Sequence, residues 1–563
     1  MFSLATMALS AAMLVPTVDI RSDSSSSWRF TQTTSELEPG VRLVRIRAVS
    51  DRLSPVPPFT VDVSVPATDC ETAWNPNFGC AENLAPLPWW GRVFNIARTQ
   101  PIQTLLSRRD ENRLTLAVGE LRRTVHLNPS FDESAFARHV AIGFFREPSE
   151  PMTSYETQIR IDLRPVGFAD AVSSAAAWQS ARAGSAATPP PAAFDAVYST
   201  WYGFHKDLDA LRVEDECREA AALGMKVVIL DDGWQTDEEA RDYASCGDWR
   251  VSAKRFPDMR GHVARVQAMG LKYVVWFSMP FVGEETAAYA RFRDRMLRHV
   301  PELRCWVLDP RFPEVRAYLR DVYLRCLREW NIDGFKLDFV DAFGLDGGTD
   351  PAVTQGYAGR DCRSIPDGVE KLLNEVTEAL SAEKRGLLLE FRQSYVGPEI
   401  RKYGNMMRVG DCPGSALRNR VHIANLRLLC EGSSVHSDML RWNDGDTPED
   451  ARWYILNSIF GTVQYSVVLG KAPDAVKSEI AKWIAFADKH RAALLKGRIH
   501  PHRPELNYPV VESESDDERI VVIYDPTVAF DPGPIVKRTL VVDATSGAVT
   551  EFAGRENPSR RKR

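Results

Sequence analysis

Acidic and basic side chains follow short apolar segments at several points of the sequence. Asp231 and Asp232 come directly after the apolar run 227–230, and Asp338 lies two residues after Lys336. Comparable positions carry further charged residues, namely Glu390, Arg392, Arg408, Asp411, His436 and Asp438. Two carboxylates with an adjoining Lys and Arg suit cleavage of a glycosidic bond, in which one carboxylate attacks the anomeric carbon and the other protonates the leaving oxygen.

Aromatic residues accompany these charged positions. The chain has 14 Trp, and indole rings can cover the apolar face of a sugar. Trp201, Trp234 and Trp249 fall beside the charged segment ends, with core packing as the alternative for Trp249. We interpret three others as packing residues, namely Trp276, Trp330 and Trp483. The aromatic residues thus divide into a few candidate pocket walls and a larger core set.

Other chemistries receive less support from the residue types. A catalytic zinc site in a hydrolase needs several His ligands, but only His436 stands at the end of an apolar segment. His436 could also form a structural pair with Asp438. Cys412 has no obvious His base, and no dinucleotide-binding or phosphate-binding glycine loop follows an apolar segment. The sequence therefore predicts a site without a metal or a cofactor.

Some of the charged residues have structural interpretations that the sequence leaves open. Lys336 could form an ion pair with Asp341 or Asp309 instead of contacting a substrate. Arg392 could simply neutralise Glu390, which lies two residues earlier.

Eight apolar segments alternate with amphipathic segments in the middle of the chain. The apolar segments are 196–202, 226–230, 272–277, 334–339, 387–391, 406–409, 434–437 and 462–469. Apolar residues at helical spacing occur between them, at 213–223, 261–269, 314–329, 369–380 and 449–459. This alternation predicts the α/β class with a central (β/α)8 TIM barrel, whose chemistry lies at the carboxyl ends of the strands. An open doubly wound sheet is the alternative.

The flanking regions have a different pattern. Alternating polar and apolar residues at 41–46, 59–65 and 158–163 predict antiparallel strands. A helix at 476–495 and strands at 509–514, 519–524 and 538–543, with a turn at Gly547, are predicted after the barrel. The predicted domains are an N-terminal β-sandwich at 1–180, a linker at 181–194, the barrel at 195–497, a small C-terminal antiparallel β-domain at 498–555 and a basic tail at 556–563.

Composition limits the partners and the compartment. A net charge of -6 argues against binding to nucleic acid, and no apolar run is long enough for a membrane helix. The nine Cys lack metal spacing and are expected to be mostly buried thiols in a reducing compartment. We therefore expect a cytoplasmic protein. The alternative is secretion to the periplasm or beyond, because the N-terminus is apolar, although it lacks the Lys or Arg expected of a signal peptide.

Four motifs, in chain order, resemble those of the melibiase-type α-galactosidases of glycoside hydrolase families 36 and 27. They are Leu-Asp-Asp-Gly-Trp at 230–234, Gly-Asp-Trp at 247–249 with Arg-Phe-Pro at 255–257, Leu-Asp-Pro at 308–310 with Pro-Glu-Val-Arg at 313–316, and Lys-Leu-Asp at 336–338. The resemblance covers residues 195–470. It implies a barrel enzyme that acts on an α-galactoside or a related oligosaccharide, and by analogy a homo-oligomer.

The resemblance also implies roles for the reacting groups. Asp338 matches the family nucleophile, Asp411 falls where the general acid/base lies, and Arg408 resembles an arginine near that acid/base. The implied mechanism is a double displacement with retention of configuration. Asp338 is kept ionised beside Lys336, and Asp411 has a pKa raised by partial burial.

The same resemblance implies a set of sugar-binding residues. Asp231 and Asp232 match the pair that holds the 4- and 6-hydroxyls, and Lys336 matches the residue at the 3- and 4-hydroxyls. Trp201 and Trp249 match wall positions of the pocket.

Two segments depart from the family pattern. The fifth-strand segment reads Glu-Phe-Arg-Gln-Ser-Tyr at 390–395, and in the family this region contacts the 2-position, so Glu390 and Arg392 are candidate substrate-binding residues. The acid/base segment reads Gly-Asp-Cys-Pro-Gly at 410–414. The expected activity is exo-acting hydrolysis of terminal α-galactose. The open alternatives are an α-N-acetylgalactosaminidase, an α-glucoside or α-xyloside hydrolase, a transglycosylase of the raffinose-synthase type, a sugar-binding barrel without activity and a metal-dependent hydrolase.

Overall fold

The computed structural model describes residues 17–22, 27–76 and 92–554. The apolar segment before residue 17 and the predicted basic tail at 556–563 lie outside the described residues. In the described part, eight cysteines are free and buried. None of the helices described is long and apolar enough to cross a membrane.

Eight parallel strands form the predicted barrel sheet. In chain order they are Val197–Ser199, Val227–Leu230, Lys272–Ser278, Gly334–Asp338, Leu388–Arg392, Met406–Arg408, Ser434–His436 and Gln464–Tyr465, and we number them as barrel strands one to eight. Strand eight pairs with strand one, and a parallel bridge between His436 and Thr462 joins the seventh and eighth segments. The predicted fold class is therefore confirmed.

The strands are buried because helices cover the sheet from outside, which explains their nearly continuous apolar runs. All four residues of Val227–Leu230 are buried. The first and eighth strands are shorter than predicted, and Trp201 and Tyr202 lie in a short helix after strand one instead of at its end.

Strand register places the polar side chains of neighbouring strands at common levels. Lys336 on strand four pairs with Trp276 on strand three and with Glu390 on strand five. Arg392 on strand five pairs with Arg408 on strand six. Because residues two apart on a strand share a face, the polar residues on these strands form successive layers in the upper half of the barrel.

Helices lie between and around the barrel strands. The longer ones are Ala210–Ala222, Met259–Ala268, Pro313–Trp330, Ile365–Glu383, Ala416–Leu429, Pro448–Ser458 and Asp474–Lys489, and the shorter ones are Trp201–Phe204, Ala287–Phe292, Pro351–Gln355 and Arg491–Leu494. Short 3-10 turns occur at Pro191–Phe194, Pro301–Leu303, Val340–Ala342, Ile400–Lys402, Leu469–Lys471 and Pro504–Leu506. A three-stranded antiparallel sheet follows strand three, from Phe281–Gly283, Met296–Val300 and Cys305–Leu308, and was not predicted.

Two antiparallel sheets precede the barrel. In spatial order, one contains Thr17–Ser22, Phe59–Pro66, Ala137–Phe144, Val125–Asp132 and Arg92–Phe94. The other contains Trp28–Glu38, Val41–Ser54, Met152–Asp162, Asn112–Val118, Ile102–Leu106 and Thr72–Trp74. A helix at Phe168–Ala183 then packs on the second sheet and extends into the segment predicted as a linker. Its apolar positions are mostly Ala, which gives a weak periodic signal.

The C-terminal sheet contains Arg498–His502, Val510–Glu514, Glu518–Ile523, Arg538–Asp543 and Val549–Phe552, in that order. The predicted antiparallel arrangement was wrong for one pair, because Glu518–Ile523 and Arg538–Asp543 are parallel. The long connection between these two strands returns the chain to the same end of the sheet, which a short hairpin cannot do. The domain boundaries given above remain predictions.

Candidate active site

Asp338 ends barrel strand four and is held on both carboxylate oxygens. Its Oδ1 accepts hydrogen bonds from Arg392 Nε at 2.5 Å and from the backbone N–H of Phe339 at 2.8 Å. Its Oδ2 accepts a hydrogen bond from Trp276 Nε1 at 3.0 Å. Tyr395 Oη lies 3.4 Å from Oδ1. Contacts from strands three and five therefore fix the orientation of this carboxylate.

The charge environment keeps Asp338 ionised. Burial by itself would raise its pKa, but the positive charges of Arg392, Lys336 and Arg408 outweigh this effect, and the pKa lies well below its usual range. An ionised carboxylate at a strand end is the state that a nucleophile requires. This agrees with the predicted ionised state.

Lys336 lies one layer below Asp338, and its side chain forms an ion pair with Asp231, which follows strand two. Its Nζ donates to Asp231 Oδ2 at 2.7 Å, and both side chains are almost completely buried. The ion pair with Asp341 or Asp309 that the sequence left open is absent. The distance along the chain between Lys336 and Asp231 is 105 residues, so only closure of the barrel brings the two charges together.

Asp232 faces a lysine that the sequence did not identify. Lys206 Nζ lies 3.5 Å from Asp232 Oδ2, and Gln235 Nε2 donates to Asp232 Oδ1 at 2.6 Å. Burial raises the pKa of Asp232 to about 6, although Lys206 opposes the shift. Lys206 follows the short helix after strand one and lies outside every segment end, which is why strand-end reasoning missed it.

Arg408 on strand six bridges two carboxylates. Its guanidinium donates to Asp411 Oδ1 at 2.9 Å and to Asp438 Oδ1 at 2.7 Å. Arg408 is 1% exposed, whereas the Asp411 side chain is 57% exposed. Arg408 thus holds Asp411 at the barrel mouth, and its positive charge also lowers the pKa of Asp338.

The predicted rise in the pKa of Asp411 was wrong for the ligand-free protein. Partial burial does act to raise this pKa, but the positive charges of Arg408 and Arg392 lower it below its usual value. The family resemblance placed an arginine near Asp411, but the sequence could not show that the charges of Arg408 and Arg392 together outweigh the effect of burial on this pKa.

Glu390 and Arg392 do not form the ion pair that the sequence left open. Glu390 accepts a hydrogen bond from Gln464 Nε2 at 2.5 Å, and its Oε1 lies 3.6 Å from Arg408 Nε. Burial raises the pKa of Glu390, although Lys336 and Arg408 act against this. Arg392 is instead directed at Asp338, and Glu390 belongs to the buried layer beneath.

The tryptophans divide differently from the sequence interpretation. Trp249 is 1% exposed and packs against Trp234, Trp276 and Phe277, as the core interpretation expects, and its role as a pocket wall stays a prediction. Trp276, interpreted above as a packing residue, reaches Asp338 with its indole N–H. Trp201 is partly exposed and lies under the guanidinium of Arg241, 5.5 Å from the ring centre.

His436 and Asp438 belong to separate networks. His436 is fully buried, with Nε2 2.8 Å from the carbonyl oxygen of Ala193, and burial lowers its pKa to about 4. Asp438 accepts hydrogen bonds from Arg408 and from Tyr202 Oη, the latter at 3.1 Å. The structural pair between the two residues is therefore not formed, and Asp438 supports Arg408. Among the described residues, no group of three or more His, Cys, Asp or Glu side chains is arranged to hold a metal ion.

The Leu-Asp-Pro motif stabilises the fold outside the site. Asp309 is completely buried and accepts hydrogen bonds from Arg311 and Arg360, each at 2.8 Å. We expect Asp309→Asn to lower the free energy of unfolding by about 3–5 kcal/mol, because two buried guanidinium groups lose their shared charge partner. Urea unfolding checks this, with the exposed Asp321→Asn as the control. A loss below about 1 kcal/mol would contradict the structural role.

Comparison with known proteins identifies a related family. Residues 194–344 match the melibiase family model, and this segment contains Asp231, Asp232, Lys336 and Asp338. The α-galactosidase Mel36A from Lactobacillus acidophilus is 29% identical over 342 residues, which are 58% of this chain and 46% of Mel36A. The α-galactosidase AgaA from Geobacillus stearothermophilus is 32% identical over 106 residues, which are 19% of this chain and 14% of AgaA. The matched segments span less than half the length of these curated relatives.

Solved structures share the fold. A variant of the family 36 α-galactosidase AgaA in complex with 1-deoxygalactonojirimycin has a TM-score of 0.61 and 15% identity, covering 89% of this chain and 77% of that chain. Another AgaA variant, in complex with raffinose, has a TM-score of 0.61 and 14% identity, with the same coverage. The predicted resemblance to the melibiase-type α-galactosidases is confirmed.

Proposed function

We propose that this protein, whose barrel is similar to those of the melibiase-type α-galactosidases, is a retaining, exo-acting glycoside hydrolase that removes terminal α-linked galactose from oligosaccharides. The observation that carries the proposal is the arrangement around Asp338. An ionised carboxylate stands at the end of strand four, and a second carboxylate, Asp411, is held at the barrel mouth by Arg408. The complexes of AgaA variants with raffinose and with 1-deoxygalactonojirimycin support the substrate class.

In the first step, Asp338 gives an electron pair to the anomeric carbon while the bond to the glycosidic oxygen breaks. Asp411, in its protonated form, gives its proton to that leaving oxygen. In the second step, Asp411 takes a proton from water as the water oxygen attacks the anomeric carbon, and the bond to Asp338 breaks. Two inversions leave the anomeric configuration unchanged.

The sugar is held by the layer between strands two and four. Asp231 and Asp232 accept hydrogen bonds from its 4- and 6-hydroxyls, and Lys336 donates to its 3- and 4-hydroxyls. Lys336 and Asp231 already form a 2.7 Å ion pair, which keeps donor and acceptor oriented before the sugar arrives. This preorganisation supports recognition of a neutral sugar by local charges.

A panel of nitrophenyl α-glycosides tests the activity. We expect hydrolysis of the α-galactoside to exceed that of the N-acetylgalactosaminide, glucoside and xyloside, and activity to survive chelation. Proton NMR of the products should show the α-anomer first. Early release of the β-anomer would exclude retention, and sugar transfer to an added acceptor in place of hydrolysis would indicate a transglycosylase.

A further inference from the structure

Arg392 contacts the predicted nucleophile directly, and nothing in the four-motif resemblance assigns it a role in the reaction. We propose that Arg392 is a positioning residue that holds Oδ1 of Asp338 and thereby leaves Oδ2 as the oxygen that attacks the anomeric carbon. This inference rests on the proposed function, because it concerns the nucleophile of that reaction.

The two oxygens of Asp338 have unequal surroundings. Oδ1 accepts from Arg392 Nε at 2.5 Å and from Phe339 N–H at 2.8 Å, with Tyr395 Oη at 3.4 Å. Within the described residues, the hydrogen bond from Trp276 Nε1 at 3.0 Å is the one assigned to Oδ2. Since a carboxylate oxygen has two lone pairs, Oδ2 keeps one for a new bond while those of Oδ1 are engaged.

Arg392 is itself fixed, as a positioning residue must be. Its Nη1 donates to the carbonyl oxygen of Gln393 at 2.9 Å, and its guanidinium lies over the ring of Phe339, 5.0 Å from the centre. Nη1 also lies 3.8 Å from Asp341 Oδ2, and Asp341 is in turn 3.3 Å from Ser394 Oγ. The carbonyl oxygen of Gln393, the ring of Phe339 and the carboxylate of Asp341 together fix the direction in which Arg392 Nε points.

The contact acts differently in the two steps of the reaction. In the first step, Oδ2 bonds to the anomeric carbon and Oδ1 becomes the carbonyl oxygen of the ester, still facing Arg392. In the second step, the bond between the anomeric carbon and Oδ2 breaks and its electron pair returns to the carboxylate, whose charge Arg392 stabilises. A less basic carboxylate is a better leaving group, so Arg392 favours breakdown of the intermediate.

Several other charged or titratable groups face Asp338. They are Lys336 on the same strand, Asp341 in the following turn, Tyr395 after strand five, Arg408 on strand six, Asp411 after strand six and Tyr243. Arg392 exerts the largest single charge effect on the pKa of Asp338. Since this pKa is lowered, Asp338 is ionised above it, and activity is lost as the pH falls through it. Removal of Arg392 must move this acid limb to higher pH.

The test compares Arg392→Gln and Arg392→Lys with the wild-type protein on nitrophenyl α-galactoside. For Arg392→Gln we expect the acid limb of kcat/KM to rise by about 1 pH unit or more and kcat to fall about 100-fold. We also expect a pre-steady-state burst of nitrophenolate, because breakdown of the ester becomes the slow step. Arg392→Lys keeps the charge but not the Nε geometry, so its acid limb should stay near that of the wild type while kcat remains low.

Arg328→Gln, which removes a surface ion pair with Glu383, is the matched control and should behave as wild type. An Arg392→Gln protein with an unchanged acid limb, no burst and kcat within about threefold of wild type would overturn the positioning role alone. A wild-type protein that hydrolyses no glycoside of the panel would instead overturn the proposed function, and this role with it.

Discussion

Asp338→Asn is expected to reduce kcat on nitrophenyl α-galactoside by about 10,000-fold or more, because the amide has no charge with which to attack the anomeric carbon. The fold should survive, since the amide oxygen of Asn can keep the hydrogen bonds that Oδ1 accepts from Arg392 and from the backbone of Phe339, and only the bond from Trp276 to Oδ2 is lost. The measurement is steady-state hydrolysis, with far-ultraviolet circular dichroism as the check on folding.

Two further variants make this result specific to the nucleophile. Asp346→Asn, on the exposed loop after strand four, is the matched control and should keep full activity. Asp338→Gly opens space at the nucleophile position, so added azide should restore turnover and give the β-galactosyl azide. Asp338→Asn activity within tenfold of wild type would remove Asp338 from the mechanism.

Asp411→Asn should have the second largest effect, and the effect should depend on the leaving group. An amide cannot protonate the glycosidic oxygen, so kcat/KM on raffinose should fall by about 1,000-fold or more. A dinitrophenyl galactoside needs little protonation and should lose far less in the first step. Azide should rescue this variant as well, but the product should be the α-galactosyl azide, because azide then attacks the intermediate.

The lowered pKa of Asp411 gives this prediction a pH dependence. Arg408 and Arg392 lower its pKa in the free protein, and the general acid works only when protonated. The kcat/KM of the wild type should therefore fall as the pH rises out of the acidic range. Equal losses on raffinose and on the dinitrophenyl substrate, with no change in the pH profile, would exclude Asp411 as the acid/base.

The order of the barrel strands and the positions of the carboxylates at their ends could be predicted from local sequence. Each barrel strand is a short apolar run, and the chemistry of a barrel lies where such runs end. This rule by itself places Asp231, Asp232, Lys336 and Asp338 at one end of the barrel. The helix at Phe168–Ala183 was missed because its Ala-rich face has little hydrophobic contrast.

The partners of these side chains could not be predicted, because pairing depends on how the barrel closes. Closure brings Lys336 to Asp231 across 105 residues and turns Arg392 toward Asp338 instead of Glu390. It also places Trp276 against Asp338 and leaves Trp249 in the core, although both are tryptophans near charged segments.

By itself, the sequence determined that Asp231, Asp338 and Arg392 stand at strand ends, since strand periodicity and chain order are local properties. Only the tertiary structure decided which charge faces which carboxylate. It therefore decided that both Asp338 and Asp411 have lowered pKa values, because electrostatic interactions depend on distances through space.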